Sequence, residues 1–146
     1  MTAADGTRVI RLDAVPVALV LRSQDHLDEL VRELQIIAIG VATATTDEPS
    51  PGRLASLVSE ALERLDTMRA MTREQVRAAA EAGSETVALE ITIPEGAAAD
   101  IHQLVDLLDE ADRLCEEGAL LTLASPPEVR AFRREMAEQL VRQLTG

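Results

Sequence analysis

The stretch Val17–Val41 is the sequence feature that most constrains the fold. Apolar residues recur along it at alternating spacings of three and four, which is typical of a helix that packs along other helices. Leu30 and Ile37 fall beside this stripe and widen it. We therefore predict a core helix of a globular bundle, from about Pro16 to about Gly40. The stripe consists of Val17, Val20, Gln24, Leu27, Val31, Leu34, Ala38 and Val41.

The C-terminal end of this helix is apolar on more than one side, since Ile36, Ile37 and Ile39 point in different directions around the helix. An apolar patch of this kind needs a partner that covers it, and closed twofold dimers are the commonest assembly. We therefore predict a homodimer that has Ile36, Ile37 and Ile39 at its interface.

The spacing of apolar residues changes in the middle of the chain. Residues 54–83 carry apolar residues every three or four positions and predict a second helix, the longest of the chain. A loop should precede it, because residues 41–52 are rich in turn formers and end in a Ser50 cap followed by Pro51. In residues 87–93 every second residue is Val, Leu or Ile, which predicts a strand with one buried face. This extended segment would carry the chain back along the bundle.

Helix three is predicted from about Glu95 to Glu117, with Gly118 as its stop. The Ser-Pro-Pro-Glu run at residues 125–128 predicts a capping box at the start of helix four. Between them, residues 119–124 form a short apolar run that predicts a second strand, to pair either with the first strand or with the N-terminal segment.

At the N-terminus, residues 1–6 predict a loose tail and residues 7–13 a short strand or an extended lead-in. A chain of 146 residues is long enough for one full hydrophobic core. We therefore predict a mainly α protein with one domain over residues 1–146. Its architecture should be a four-helix bundle with a long extended crossover between helices two and three and one or two short strands.

The composition excludes several classes of partner. A net charge of −12 argues against nucleic acid and anionic membranes, because both require a basic protein face. No apolar run is long enough for a membrane span, and the first ten residues lack the basic start and apolar core of a secretory signal. The single Cys115 suits a reducing compartment. We expect a cytoplasmic protein.

The run LLDEADRL at residues 107–114 resembles the Asp-Glu-Ala-Asp box of RNA helicases. In that family the box follows a buried strand and works with a phosphate loop ending in Gly-Lys-Thr, which a chain without Lys cannot supply. We therefore expect Asp109, Glu110 and Asp112 to form a solvated helix face.

The remaining candidates for chemistry also favour structural roles. Asp109, Asp112 and Glu116 share one side of helix three, but bundle metal sites use a Glu-x-x-His pair that this chain lacks. His26 and His102 lie off the predicted stripes, so we expect both to be exposed. Cys115 lies on the apolar stripe of helix three, where a free Cys usually acts as a small buried hydrophobe. Ser125 is expected to cap helix four. We predict no catalytic residue, no metal site and no cofactor.

Gln24 and Thr72 are the most informative polar residues, because both fall on apolar stripes. A buried amide or hydroxyl without a partner costs about 1–3 kcal/mol, so both should be paired. They form either interhelical hydrogen bonds that fix the register or polar anchors in a ligand cavity. With one Phe and no Trp or Tyr, such a cavity would offer little aromatic stacking, and the first alternative is favoured.

Two segments, VIRLDAVPVALVLRSQDHLDELVREL at residues 9–34 and LLTLASPPEVRAFRREMAEQLVRQLTG at residues 120–146, resemble a group of actinobacterial helical proteins. That group is associated with partner switching, in which an anti-sigma ATPase, an anti-anti-sigma domain and a phosphatase regulate transcription. The resemblance implies a non-enzymatic regulatory module that acts in bacterial signal transduction through a protein partner of the anti-sigma or phosphatase type. The alternative from another class is a helical bundle that senses a small apolar ligand.

Overall fold

The structure, a computed structural model, describes residues 2–3, 6–41 and 51–146, with side chains at 6–37 and 52–146. Within these ranges the chain forms five α-helices and a small antiparallel sheet. The strands are β1 (Thr2–Ala3), β2 (Thr7–Pro16) and β3 (Thr86–Pro94), and the helices are α1 (Val17–Val41), α2 (Pro51–Arg64), α3 (Asp66–Glu81), α4 (Ala98–Glu116) and α5 (Pro127–Thr145).

The sheet has the order β1-β2-β3, with β2 antiparallel to both neighbours. Ile10 lies opposite Ile91 and Leu12 opposite Leu89, so the alternating apolar residues of both strands form one buried face. A bulge follows Leu12, where Ala14 has a φ of 53°. Because a bulge adds one residue, it returns Val15 to the buried face.

The buried residues form two clusters. One lies between the sheet and the helices that pack on it, and it includes Ile10, Ile91 and Val76. The other lies between α1, α2 and α4, and it includes Leu34, Val58 and several neighbouring leucines. The long α1 contributes to both clusters, which explains why its apolar stripe runs along its whole length.

The mainly helical class is confirmed, and so is the strand predicted at residues 87–93. A four-helix bundle is not confirmed, because the predicted second helix is two helices, α2 and α3, separated at Leu65. Leu65 remains almost fully buried, at 2% exposure, so the apolar pattern continues through the break. No Gly or Pro marks the break in the sequence.

The extended segments pair within the chain. The predicted crossover strand is β3, which lies beside the N-terminal β2 and sends its buried face toward the helices. Residues 119–124 are not a strand: residues 119–122 form bends and residues 123–124 have no regular structure, and they follow Gly118 at a φ of 80°. The predicted tail contains β1 at Thr2–Ala3. Pro51 begins α2 as expected, whereas Ser50 and most of the predicted loop lie outside the described residues.

None of the helices in the described ranges combines the length and the apolar character that crossing a membrane requires.

Candidate functional site

A cavity of about 180 Å³ lies where α1, α3, α4 and α5 meet β3. Packed interiors contain few voids larger than a water molecule, and an apolar cavity of about 150 Å³ is large enough to bind benzene. This cavity is therefore large enough for a small organic molecule. Most of its lining is apolar and includes Leu27, Met68, Ile101, Leu104, Phe132, Met136 and Leu140.

The cavity exists partly because several lining residues are small. Ser23 on α1, Thr72 on α3 and Ala137 on α5 all contribute to its wall. A long apolar side chain at any of these positions would extend into the space between the helices. The sequence pattern alone gives no sign of this, because small residues occur at packed helix contacts as well as at voids.

Gln24 and Thr72, the two polar stripe residues, both line this cavity. The Thr72 hydroxyl donates to the Met68 carbonyl oxygen at 3.0 Å, one turn earlier in α3. The expected interhelical bond is therefore absent for Thr72 among the described residues. The Gln24 amide also makes no hydrogen bond within the described part of the chain. The predicted pairing therefore holds for Thr72 only within its own helix, and it is wrong for Gln24, which is half-buried.

Three arginines also contribute to the cavity wall. Arg73 forms an ion pair with Asp28 at 2.7 Å, and Arg133 forms ion pairs with Asp112 at 2.9 Å and Asp109 at 3.1 Å. The third, Arg69, is half-buried on α3.

Arg69 makes no ion pair in the described ranges. Burial lowers the pKa of its guanidinium, the positive charge of Arg73 lowers it further, and Asp28 and Asp66 oppose both effects. The cavity wall therefore holds one cation without a direct counterion among the described residues.

Beside the cavity, Asp112 is the centre of a buried polar cluster. Its carboxylate accepts hydrogen bonds from the Ser125 backbone N–H at 2.8 Å, the Ser125 hydroxyl at 2.9 Å and Arg133 Nη2 at 2.9 Å. Burial alone would raise the pKa of Asp112, but these hydrogen bonds together lower it below its ordinary value. The cluster fixes the start of α5 against α4.

This cluster corrects two sequence predictions. Asp112 is 1% exposed and does not belong to a solvated face. Its position four residues after the buried Leu108 was the available signal, because residues four apart share one side of a helix. Ser125 is not a capping residue either: Pro126 occupies the N-cap without a side-chain bond, and the Ser125 hydroxyl serves Asp112.

His26 is half-buried, contrary to the prediction, and it contacts the segment that precedes α5. Its Nε2 lies 2.7 Å from the Leu123 carbonyl oxygen and must donate there, while its Nδ1 lies 3.2 Å from the Ser125 hydroxyl. His, Ser and Asp thus meet, but Asp112 contacts Ser125 and not the imidazole. A nucleophile–base–acid chain requires the carboxylate behind the histidine. His102 is exposed, as predicted.

Glu33 holds the same segment from two turns further along α1. Its carboxylate accepts hydrogen bonds from the Leu121 N–H at 2.6 Å, the Thr122 N–H at 2.7 Å and the Thr122 hydroxyl at 2.6 Å. Burial raises the pKa of Glu33, and these three bonds outweigh that effect and lower it. Residues 119–125 are therefore attached to α1 at two points.

The attached segment presents two exposed leucines, Leu121 at 93% and Leu123 at 83% exposure. Ile36 of the predicted dimer interface is 66% exposed. Ile37 is half-buried and packs against the second core cluster. The side chain of Ile39 lies outside the described residues. The dimer interface stays a prediction.

Among the described residues, no group of three or more His, Cys, Asp or Glu side chains is placed to hold a metal ion. Cys115 is half-buried as a free thiol. Burial, followed by the charges of Asp112, Glu33 and Glu116, raises the pKa of its thiol to about 11. The thiol is therefore protonated at neutral pH.

Comparison of the chain with protein-family models, with curated proteins and with solved structures found no match.

Proposed function

We propose that this chain is a non-enzymatic regulatory protein that binds a small, mostly apolar organic molecule. The cavity of about 180 Å³ between the helices and β3 carries this proposal. Binding sites for small molecules are typically apolar cavities with a few polar groups that orient the ligand. Gln24 and Thr72 supply such groups here, on two different helices.

In a regulatory protein, ligand binding must also be coupled to a change at the protein surface. His26 and Arg133 line the cavity and also hold residues 119–125, through the Leu123 carbonyl and the Ser125 hydroxyl. A ligand that contacts either side chain changes the free energy of this segment. Ligand occupancy would thus be reported at the exposed Leu121 and Leu123.

Thermal melting tests the binding proposal with a panel of short aliphatic alcohols, amides and carboxylic acids. A ligand at one hundred times its dissociation constant stabilises the folded state by about 2.7 kcal/mol. That stabilisation raises the melting temperature by roughly 5–10 °C for a chain of this size.

Ala137→Leu extends a side chain into the cavity, and Ala131→Leu makes the same change at an exposed position of α5. The ligand-induced rise in melting temperature should disappear in Ala137→Leu and persist in Ala131→Leu. A rise that survives Ala137→Leu, or no rise with any member of the panel, would contradict the proposal.

A protein-interaction module is the second candidate, and the exposure of Leu121 and Leu123 on an attached segment favours it. We propose a second copy of the chain as the partner, which covers these leucines and Ile36. Sedimentation velocity should show a dimer that Leu121→Ser and Ile36→Glu dissociate. A wild-type monomer at high micromolar concentration would exclude this candidate. Partner switching with an anti-sigma factor or a phosphatase rests on the sequence resemblance alone.

A further inference from the structure

Arginines and their ion pairs around the cavity point to a class of ligand. The chain has 26 acidic residues against 14 Lys and Arg, so most arginines find a carboxylate partner nearby. Arg73 and Arg133 follow this rule at the cavity wall, with ion pairs of 2.7 and 2.9 Å to Asp28 and Asp112. Arg69 lines the same cavity and makes no ion pair within the described ranges.

A half-buried guanidinium without a direct ion pair is unfavourable, because burial removes part of its water and the more distant Asp28 and Asp66 offset only part of that cost. The lowered pKa of Arg69, which comes first from burial and then from Arg73, reflects this cost. An anion in the cavity would compensate it. The guanidinium also matches a carboxylate geometrically, since two parallel N–H groups can face its two oxygens.

We propose that Arg69 binds the carboxylate of a small organic acid whose apolar tail occupies the cavity. This inference rests on the proposed function, since it assigns a ligand class to the same site. Gln24, whose amide has no partner among the described residues, lines the cavity as a second donor. A monoanion fits better than a dianion such as a phosphate ester, because Asp28 and Asp66 also lie near Arg69 and repel additional negative charge.

The volume of this partly open cavity guides the choice of tail length. A volume of about 180 Å³ is slightly larger than the cavity of about 150 Å³ that accepts benzene. A chain of roughly six carbons therefore fills it. The mostly aliphatic and methionine lining suits a flexible alkyl chain, because its one aromatic residue is Phe132. Hexanoate is accordingly the probe, and hexanol is its uncharged counterpart of equal length.

Isothermal titration calorimetry of the full chain with both probes tests the inference. Arg69→Gln should weaken hexanoate binding by about tenfold to one hundredfold, as expected for a lost charge-assisted hydrogen bond. Hexanol binding should change by less than about twofold, since its tail contacts remain. The matched control is Arg77→Gln, two turns further along α3, where the arginine is exposed and pairs with Glu74 and Glu81. It should change neither affinity.

The outcomes separate the two proposals. If wild-type protein binds hexanol and hexanoate equally and Arg69→Gln changes neither affinity, the carboxylate inference is wrong and the cavity proposal stands. If neither probe binds, both are wrong. Free Arg69→Gln should melt at the wild-type temperature or above it, because the unpaired charge is relieved. A clear loss of stability would show a structural role for Arg69 and overturn the inference.

Discussion

Replacing Asp112 by Asn tests the buried cluster that joins α4, α5 and residues 119–125. Asn keeps the shape of the side chain but removes its charge. An NH2 group replaces one of the two carboxylate oxygens, so only one oxygen is left to accept hydrogen bonds. Three donors are affected: the backbone N–H and hydroxyl of Ser125, and Arg133. Removing one partner of a buried ion pair costs about 3–5 kcal/mol. Arg133 keeps Asp109 at 3.1 Å, so the lower end applies.

We therefore expect Asp112→Asn to lose about 3 kcal/mol, measured at neutral pH by urea unfolding followed with circular dichroism. The melting temperature should fall by roughly 6–12 °C. Asp106→Asn is the control, because Asp106 is exposed on the same helix, and it should change stability by less than about 0.5 kcal/mol. A loss below about 1 kcal/mol in Asp112→Asn would refute the account of the cluster.

The same pair of proteins has a defined pH dependence. The hydrogen bonds hold the pKa of Asp112 below its ordinary value despite burial, which acts in the opposite direction. Its stabilisation is therefore complete above the ordinary carboxyl pKa of about 3.9 and is lost as the pH falls through the lower folded-state value. The difference in unfolding free energy between wild type and Asp112→Asn should be constant near neutral pH and should shrink in acid.

Two further predictions concern residues around the same segment. Glu33→Gln should increase the rate of hydrogen exchange at the Leu121 and Thr122 amides by about fivefold or more. The matched variant Glu29→Gln, on the exposed side of α1, should leave this rate unchanged. Equal exchange in both variants would show that Glu33 does not hold the segment. With a thiol pKa of about 11, Cys115 should react with iodoacetamide at about pH 8 roughly one hundredfold more slowly than a free thiol of pKa about 9. A rate near that of the free thiol would contradict the burial of Cys115.

Much of the fold was predictable because local periodicity determines it. The stripe of α1 and the alternation in β3 each reflect one buried face, and both elements formed at the expected positions. The break at Leu65 was not predictable, since the same apolar spacing serves both a continuous helix and two helices that meet at a buried leucine. Pairing of β2 with β3 depends on contacts between distant residues, which periodicity does not encode.

The candidate site also contains some residues that the sequence pattern singled out and others that it did not. Gln24 and Thr72 were recognisable as unusual because polar residues rarely occupy apolar stripes, and both line the cavity. The cluster of Asp112 was missed because its partners lie 13 and 21 residues away on other elements. A run of acidic residues on a helix is usually solvated, and only the packing of α5 makes this position an exception.

The most direct test of the ligand cavity is an NMR titration of methyl-labelled methionine with hexanoate. Met68 and Met136 line the cavity, whereas Met71 packs in the core without contributing to the cavity wall. We predict that the Met68 and Met136 signals shift along one saturating curve while that of Met71 stays in place. Unchanged Met68 and Met136 signals at saturating probe, or equal small shifts of all methionines, would contradict it.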